Sequence, residues 1–246
     1  MELNAVQWSI IVLSAVLIGV AKTGIPGIGI LAVALMAAIL PARDSTGFVL
    51  PMLITADLFA VVYYRRKAVW SHLVRLVPWA AFGIVVGWLI MDRISDAQLQ
   101  PVIGAIVLTL LGVNAWRRHR RDADAAIPQQ WWFAAGIGLF AGITTMMANA
   151  AGPIMIIYLV AMRLPKTAFI GTGAWYFFLL NWFKVPFSAN LDLINRASLT
   201  VNLIVVPFIA LGAVLGILVL RHIPQRWFTV TVEILAALAA LRLLLS

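Results

Sequence analysis

The stretch "VAKTGIPGIGILAV", from Val20 to Val33, decides how this chain folds. It places one lysine, one threonine, three glycines and one proline between apolar segments. Glycine and proline interrupt helices, and a charge held deep in a bilayer costs at least ~2.5 kcal/mol. The stretch therefore predicts two short helices joined by an irregular, polar segment.

The composition of the whole chain indicates an integral membrane protein. Of its 246 residues, 63% are hydrophobic and 11% are charged, whereas soluble domains average about 45–50% apolar and about 25% charged residues. Apolar runs recur along nearly the whole sequence. The net charge of +9 is explained by basic cytoplasmic loops, so no nucleic acid partner is expected.

Six apolar runs are long enough to cross a bilayer as helices, which takes roughly 17–25 residues. Charged or turn-forming stretches separate these runs, and the longest of them, residues 117–130, is expected to be a basic linker between two halves. The predicted spans are Gly47–Tyr64, Leu73–Met91, Gln98–Ala115, Thr167–Phe187, Ser198–Leu220 and Arg226–Leu245.

Two further apolar regions are interrupted. Residues 8–40 are broken at "KTGIPGIG", and residues 131–162 are broken at "TTMMANAAGP". In the first region, the pieces on either side of the break would each span only ~20 Å of a ~30 Å hydrocarbon core. A re-entrant hairpin is favoured, and a single kinked crossing is the alternative.

The chain contains an internal repeat. An offset of 124 residues places Pro41 on Pro165 and Asp57 on Asn181, and further along "PWAAFGIVVGWLIMDRI" matches "PFIALGAVLGILVLRHI". If each hairpin returns to its own side, each half crosses three times and the second half is inverted. Most loop lysines and arginines then lie on one side, as the positive-inside rule expects, and both termini lie on the other.

The expected fold is thus all-α and polytopic, with two inverted repeats that each hold a broken hairpin and three transmembrane helices. The predicted units are a first repeat at residues 1–116, a linker at 117–130 and a second repeat at 131–246. Secondary transporters with this layout bind substrate near the bilayer midplane, where half-helices meet.

The first break has the ingredients of an anion site. Lys22 and Thr23 precede Gly24, Gly27 and Gly29, whose backbone N–H groups can approach a ligand closely. The following helix would point its positive N-terminus at the same place. The alternatives are a Lys22 side chain that reaches the membrane interface, and glycines that serve close helix packing.

The second break offers neutral donors in the equivalent region. Thr144, Thr145 and Asn149 precede Gly152 and Pro153, which are expected to break the helix and begin the next one. We expect these residues to complete the substrate site. Hydrogen bonding between helices is the alternative role.

Polar residues also occur inside the predicted spans. Asp57 could titrate and couple proton movement, or it could be an ion-pair partner of Lys22 or a hydrogen-bond acceptor. Asn181, its mate in the repeat, is expected to face the same pseudo-twofold axis, with Trp175 nearby as a wall of the cavity. Lys184 is expected to be an interface anchor, and a role in guiding anions is the alternative.

The residues named above carry a resemblance to a known family. The segments "GIPGIGILAV", "LPARDSTG", "ANAAGPIMIIYLVAMRLPKTAFIGTGAW" and "NWFKVP" resemble those of the sulfite exporter TauE/SafE family, also called the 4-toluene sulfonate uptake permease family. The resemblance spans nearly the whole chain. It implies a secondary transporter for sulfur oxyanions such as sulfite or organosulfonates.

The expected partners are a small anionic substrate and the lipid bilayer, in a multi-pass protein of the bacterial inner membrane, with a homodimer left open. No cofactor or metal is expected, since the chain has no cysteine, no Walker A loop and no nucleophile–base set. An enzyme is therefore not expected. The alternatives are a cation- or proton-coupled carrier centred on Asp57, and a membrane accessory or receptor that does not transport.

Overall fold

The computed structural model describes residues 4–40, 42–90 and 131–245. Within these ranges all regular secondary structure is α-helical, which confirms the predicted class. The predicted span Gln98–Ala115 and the predicted linker at 117–130 lie outside the described residues.

The helices of the first half precede the gap at 91–130, and those of the second half follow it. Each of the other five predicted spans coincides with a helix to within five residues at either end. The helices are α1 Ala5–Thr23, α2 Gly29–Ile39, α3 Ala42–Tyr64, α4 Trp70–Ile90, α5 Trp131–Ala148, α6 Ala151–Ala161, α7 Lys166–Asn190, α8 Arg196–His222 and α9 Gln225–Leu245.

The surface of these helices suits a lipid environment. By length and composition, α1, α4, α5, α8 and residues 45–64 of α3 can each cross a membrane. Large apolar side chains point outward from them, including Val74 of α4 at 70% exposure and Leu203 of α8 at 71%. Such faces are stable against lipid rather than water, so the protein is an integral, multi-pass membrane protein.

The first break lies between α1 and α2. Gly27 has a φ of +103°, in the left-handed region that glycine adopts without strain. Gln7 Nε2 is 3.5 Å from the carbonyl oxygen of Ile39, and Ser14 Oγ is 3.5 Å from that of Ala32. Since early residues of α1 meet late residues of α2, the second helix runs back along the first.

The lengths of the helices at this break differ from the expected pair of equal pieces. The first helix, α1, has 19 residues and the second, α2, has 11. At 1.5 Å per residue these lengths correspond to about 28 Å and about 16 Å. Only α2 is therefore clearly too short to cross a hydrocarbon core of ~30 Å.

The second break lies at Asn149 and Ala150, between α5 and α6. Asn149 has a φ of 52°, a conformation that asparagine tolerates better than most residues. Gly152 and Pro153, which were expected to break the helix, instead lie in the first turn of α6. Proline is accepted there because the N–H groups of a first helical turn have no partner within the helix.

Two close helix pairs join the halves of the chain. In the first, α1 packs on α8, and a Cβ atom at Gly19 or Gly212 would overlap backbone atoms of the facing helix. In the second, α4 packs on α5, and a Cβ at Gly83 or Gly142 would do the same. Small residues thus allow close backbone approach at both crossings. The helices α3 and α7 also pack on each other.

Candidate functional site

Lys22, in the last turn of α1, forms an ion pair with Asp57 of α3. The distance from Nζ to Oδ1 is 2.7 Å, and the side chain of Asp57 is completely buried while that of Lys22 is 12% exposed. The Lys22 ammonium also lies 4.1 Å from the centre of the Phe177 ring. This geometry agrees with the ion-pair interpretation of Asp57.

The second oxygen of Asp57 accepts a hydrogen bond from its repeat mate. Asn181 Nδ2 of α7 is 2.6 Å from Asp57 Oδ2, and Asn181 is almost fully buried. Two residues that the 124-residue offset pairs in the sequence are thus in direct contact. The contact holds α3 and α7 together at the depth of the buried charge pair.

Lys184 of α7 is fully buried, so its prediction as an interface anchor is wrong. Its Nζ donates to the carbonyl oxygen of Thr145 at 2.8 Å and to Asn149 Oδ1 at 2.5 Å. Asn149 Nδ2 in turn donates to the carbonyl oxygen of Thr46 at 3.3 Å. Lys184 therefore binds the end of α5 and the second break.

A helical pattern in the sequence could have identified Lys184. Asn181, Lys184 and Ser188 are spaced three and four residues apart, which places them on one face of α7. All three are buried. The predicted span ended at Phe187, near enough to Lys184 to suggest an interface, but α7 continues to Asn190.

Thr23 and Gly24 of the first break serve helix packing, and Gly27 forms the turn. Thr23 Oγ1 donates to the carbonyl oxygens of Gly19 and Ala213, so its hydroxyl proton serves the α1–α8 contact. A Cβ at Gly24 would overlap the backbone of Gly216, which also indicates close helix packing. Only Gly27, with its positive φ, needs to be glycine for the turn itself.

Gly29 begins α2 and faces α1. A Cβ atom there would lie 3.3 Å from Cβ of Ala21, closer than an ordinary van der Waals contact, so one of the two groups would have to shift slightly. A Cβ atom at Gly27 would lie 2.7 Å from Cβ of Leu235 in α9 and 3.7 Å from Cδ1 of Ile156 in α6. The first break therefore lies against the helix that follows the second break.

Thr144 and Thr145, just before the second break, are buried, whereas Asn149 and Gly152 are half-buried. Thr144 Oγ1 donates to the carbonyl oxygen of Ala141 at 3.1 Å, and Thr145 contributes its carbonyl group to Lys184. A Cβ atom at Gly152 would meet no atom within 4 Å, so there is room beside the first turn of α6. The position of Gly152 thus suits the approach of a ligand to a helix N-terminus.

Trp175 of α7 lies outside this polar cluster. Its ring packs 5.2 Å from that of Trp70, and its buried Nε1 has no hydrogen-bond partner. It does not line the pocket beside Lys22. Its expected role as a cavity wall has no support in the described contacts and stays a prediction.

A pocket lies next to Lys22, between α1, α6 and α7. Apart from the lysine its walls are apolar, and one side is aromatic. The lining includes Lys22, Pro26, Met155, Ile156, Phe169 and Phe177. Its volume is about 40 Å³, so it has room for a small anionic group beside the ammonium, with apolar side chains around it.

The buried cluster contains two amino groups and one carboxyl group. Of the described residues, Lys22, Lys184 and Asp57 are the ionisable ones in it. The described part of the chain has no group of three or more His, Cys, Asp or Glu side chains that could hold a metal ion. Two amino groups in one buried cluster can donate hydrogen bonds to an anion.

Comparisons with known proteins indicate a membrane transporter. A family model described as "Sulfite exporter TauE/SafE" matches residues 11–243. A relative from Comamonas testosteroni, described as "Probable inner membrane transporter protein TsaS", is 29% identical over 163 residues, which cover 65% of each chain. The alignment thus spans slightly under two thirds of that relative. No solved structure matches the chain significantly.

Proposed function

Because this chain belongs to the sulfite exporter TauE/SafE family of membrane transporters, we propose that it is a secondary carrier for a small sulfur oxyanion. The substrate is sulfite or an organosulfonate. The observation that carries the proposal is the buried cluster of two lysines and one aspartate between the two helix breaks. An anion entering this cluster would meet the amino groups of Lys22 and Lys184.

In the proposed binding mode, the oxyanion lies between Lys22 and the first turn of α6. Lys22 supplies an ammonium group that is partly accessible from the pocket. The N-terminus of α6, beside Gly152, supplies backbone N–H groups that have no acceptor within the helix. The apolar wall around Phe177 supports an organosulfonate with a hydrocarbon body over an ion such as sulfate.

The proposed movement uses the repeat. In inverted-repeat transporters, one bundle moves against the other around a central site. The contacts of α1 with α8 and of α4 with α5 would make two rigid pairs, with α3 and α7 between them. Movement of these pairs about the contact between Asp57 and Asn181 would expose the site to alternate sides.

Uptake of labelled sulfite and of labelled toluenesulfonate into proteoliposomes tests the proposal. Lys22→Gln keeps most of the side-chain length and removes the charge, and we expect uptake to fall at least about tenfold because a charge-assisted hydrogen bond is lost. Arg65→Gln is the control, because Arg65 is exposed in the turn after α3. Wild-type uptake by Lys22→Gln would contradict the proposed role of Lys22.

The same vesicles distinguish the other functions. A carrier centred on Asp57 would show cation-dependent uptake without any anion requirement, and Asp57→Asn would abolish it. A receptor that does not transport would be stabilised by an anion in a thermal-shift panel of sulfite, sulfate, sulfonates and carboxylates. It would show no counterflow of that anion in vesicles.

A further inference from the structure

Lys184 is a buried amine whose described partners are all neutral. It has no exposed surface, and its Nζ donates to one backbone carbonyl and one amide oxygen. No carboxylate pairs with it among the side chains whose placement the structure describes. An isolated buried ammonium is strongly unfavourable, and such a group loses its proton unless a counter-charge is present.

The number of hydrogen bonds fits the uncharged amine. An ammonium group has three N–H donors, whereas the neutral amine has two. Thr145 and Asn149 accept two hydrogen bonds from Lys184. The described hydrogen bonds of Lys184 use two acceptors, so the third donor of an ammonium group would be available to a ligand.

One further polar group near Lys184 has no partner. Ser188 lies one helical turn further along the same face of α7 and is 1% exposed. Its hydroxyl has no hydrogen-bond partner in the described structure. A buried hydroxyl without a partner is rare, and it indicates a group that is satisfied by something bound.

The described charged groups that act on Lys184 are already paired with each other. On α1 and α3 these are Lys22 and Asp57, which form the ion pair described above. The helices α5 and α6 contain no Asp, Glu, Lys, Arg or His. The titratable side chain in these two helices is Tyr158 of α6, and its hydroxyl is hydrogen-bonded to His72.

The charged groups of α4 and α9 lie further away. Trp88, near the end of α4, contacts Phe187 beside Lys184, whereas His72 and Arg75 lie in the first two turns of α4. The helix α9, with Arg226 and Glu233, contacts α7 through Phe228 and Phe169. Phe169 is about 22 Å along α7 from Lys184.

We propose that Lys184 takes up a proton when the anion binds and releases it when the anion leaves, so that the carrier moves one proton with each anion. The inference rests on the proposed function. The proton comes from water on the side to which the site is open, and it converts the amine of Lys184 to an ammonium group. A new N–H bond forms at Nζ, and this third donor binds an oxygen of the anion.

The steps reverse on the other side of the membrane. The anion leaves, the N–H bond of the ammonium breaks, and the proton passes to water. A sulfonate carries one negative charge, so the movement of one sulfonate and one proton transfers no net charge. Transport should then respond to a pH gradient and be insensitive to membrane potential.

Proteoliposomes that contain the pH indicator pyranine test this inference with toluenesulfonate and sulfite. Toluenesulfonate is the sharper probe because it stays ionised at the assay pH and cannot carry the proton itself. We expect external toluenesulfonate to acidify the lumen. Valinomycin with potassium, which clamps the potential, should not change the rate of uptake.

Two variants test whether Lys184 is the group that carries the proton. Lys184→Arg keeps a cation that does not release its proton, so we expect uptake to continue without acidification and to become dependent on valinomycin and potassium. Lys184→Gln removes the cation, and we expect at least about a tenfold loss of uptake. Lys166→Arg, the same substitution at the other end of α7, is the control and should acidify the lumen as the wild type does.

The outcomes separate this inference from the proposed function. No uptake of either anion by the wild type would overturn both. Uptake by the wild type without acidification would overturn the coupling alone, and this measurement does not depend on whether a variant folds. Acidification that persists in Lys184→Arg but is lost in Asp57→Asn would assign the proton to Asp57 and overturn the inference.

Discussion

Removing either partner of the Lys22–Asp57 pair should destabilise the protein, but by unequal amounts. Lys22→Met leaves the carboxylate of Asp57 with no exposed surface and with Asn181 as its described partner. Breaking a buried pair in this way costs about 3–5 kcal/mol. Asp57→Asn instead leaves a lysine that is 12% exposed and lies over the Phe177 ring. A contact of this kind retains about 0.5–2 kcal/mol, so we expect a loss of roughly 2–3 kcal/mol.

The double variant Lys22→Met with Asp57→Asn completes a thermodynamic cycle. Because it leaves neither charge unpaired, it should be less destabilised than the sum of the single variants by about 2–3 kcal/mol. Equilibrium unfolding in mixed micelles with increasing dodecyl sulfate, followed by tryptophan fluorescence, measures all three. Additive losses, or a larger loss for Asp57→Asn than for Lys22→Met, would refute the argument from burial.

Three further predictions concern packing and hydrogen bonds. Gly142→Ala places a methyl group against the backbone of α4 and should destabilise the protein by about 1–3 kcal/mol or more. Gly136→Ala places its methyl group where no atom lies within 4 Å and should be neutral or stabilising by up to about 1 kcal/mol. The same unfolding assay compares the two variants. Tyr64→Phe removes a 2.9 Å hydrogen bond to the carbonyl oxygen of Thr23 and should cost about 1 kcal/mol, and an unchanged unfolding midpoint would contradict this. Trp175→Phe removes a buried N–H group without a partner. The free energy of unfolding should fall by less than the ~3–5 kcal/mol of a typical large truncation. A loss of transport at unchanged stability would show that Trp175 contacts substrate.

The breaks and most spans could be predicted because their signals are local. A run of about 20 apolar residues defines a membrane helix, and glycine or proline in such a run marks an interruption. The sequence placed the first interruption at "KTGIPGIG", residues 22–29, and the structure has it at residues 24–28, so Lys22 and Thr23 still belong to α1. It placed the second only approximately, because the left-handed residue that ends α5 is Asn149, while Gly152 and Pro153 fit the start of a helix.

The location of the polar cluster could be predicted only in part. The repeat brought Asp57 and Asn181 together in the sequence, and they are hydrogen-bonded in the structure. The burial of Lys184 could not be read from hydropathy, which estimates depth along a helix but not the direction that a side chain faces. The role of Gly24 was ambiguous for a related reason, since its neighbour Gly216 is distant in the chain and only the fold reveals their contact.

The pairing of helices across the two halves also sets an order of assembly during synthesis. The small-residue face of α1 is covered by α8, so it has no partner until the ribosome has added about 200 further residues. At roughly 5–20 residues per second, this takes about 10–40 s. During that time this face of α1 must lie against lipid, another membrane protein or another helix of the chain, and its close contact with α8 can form only as one of the last steps in the maturation of the chain.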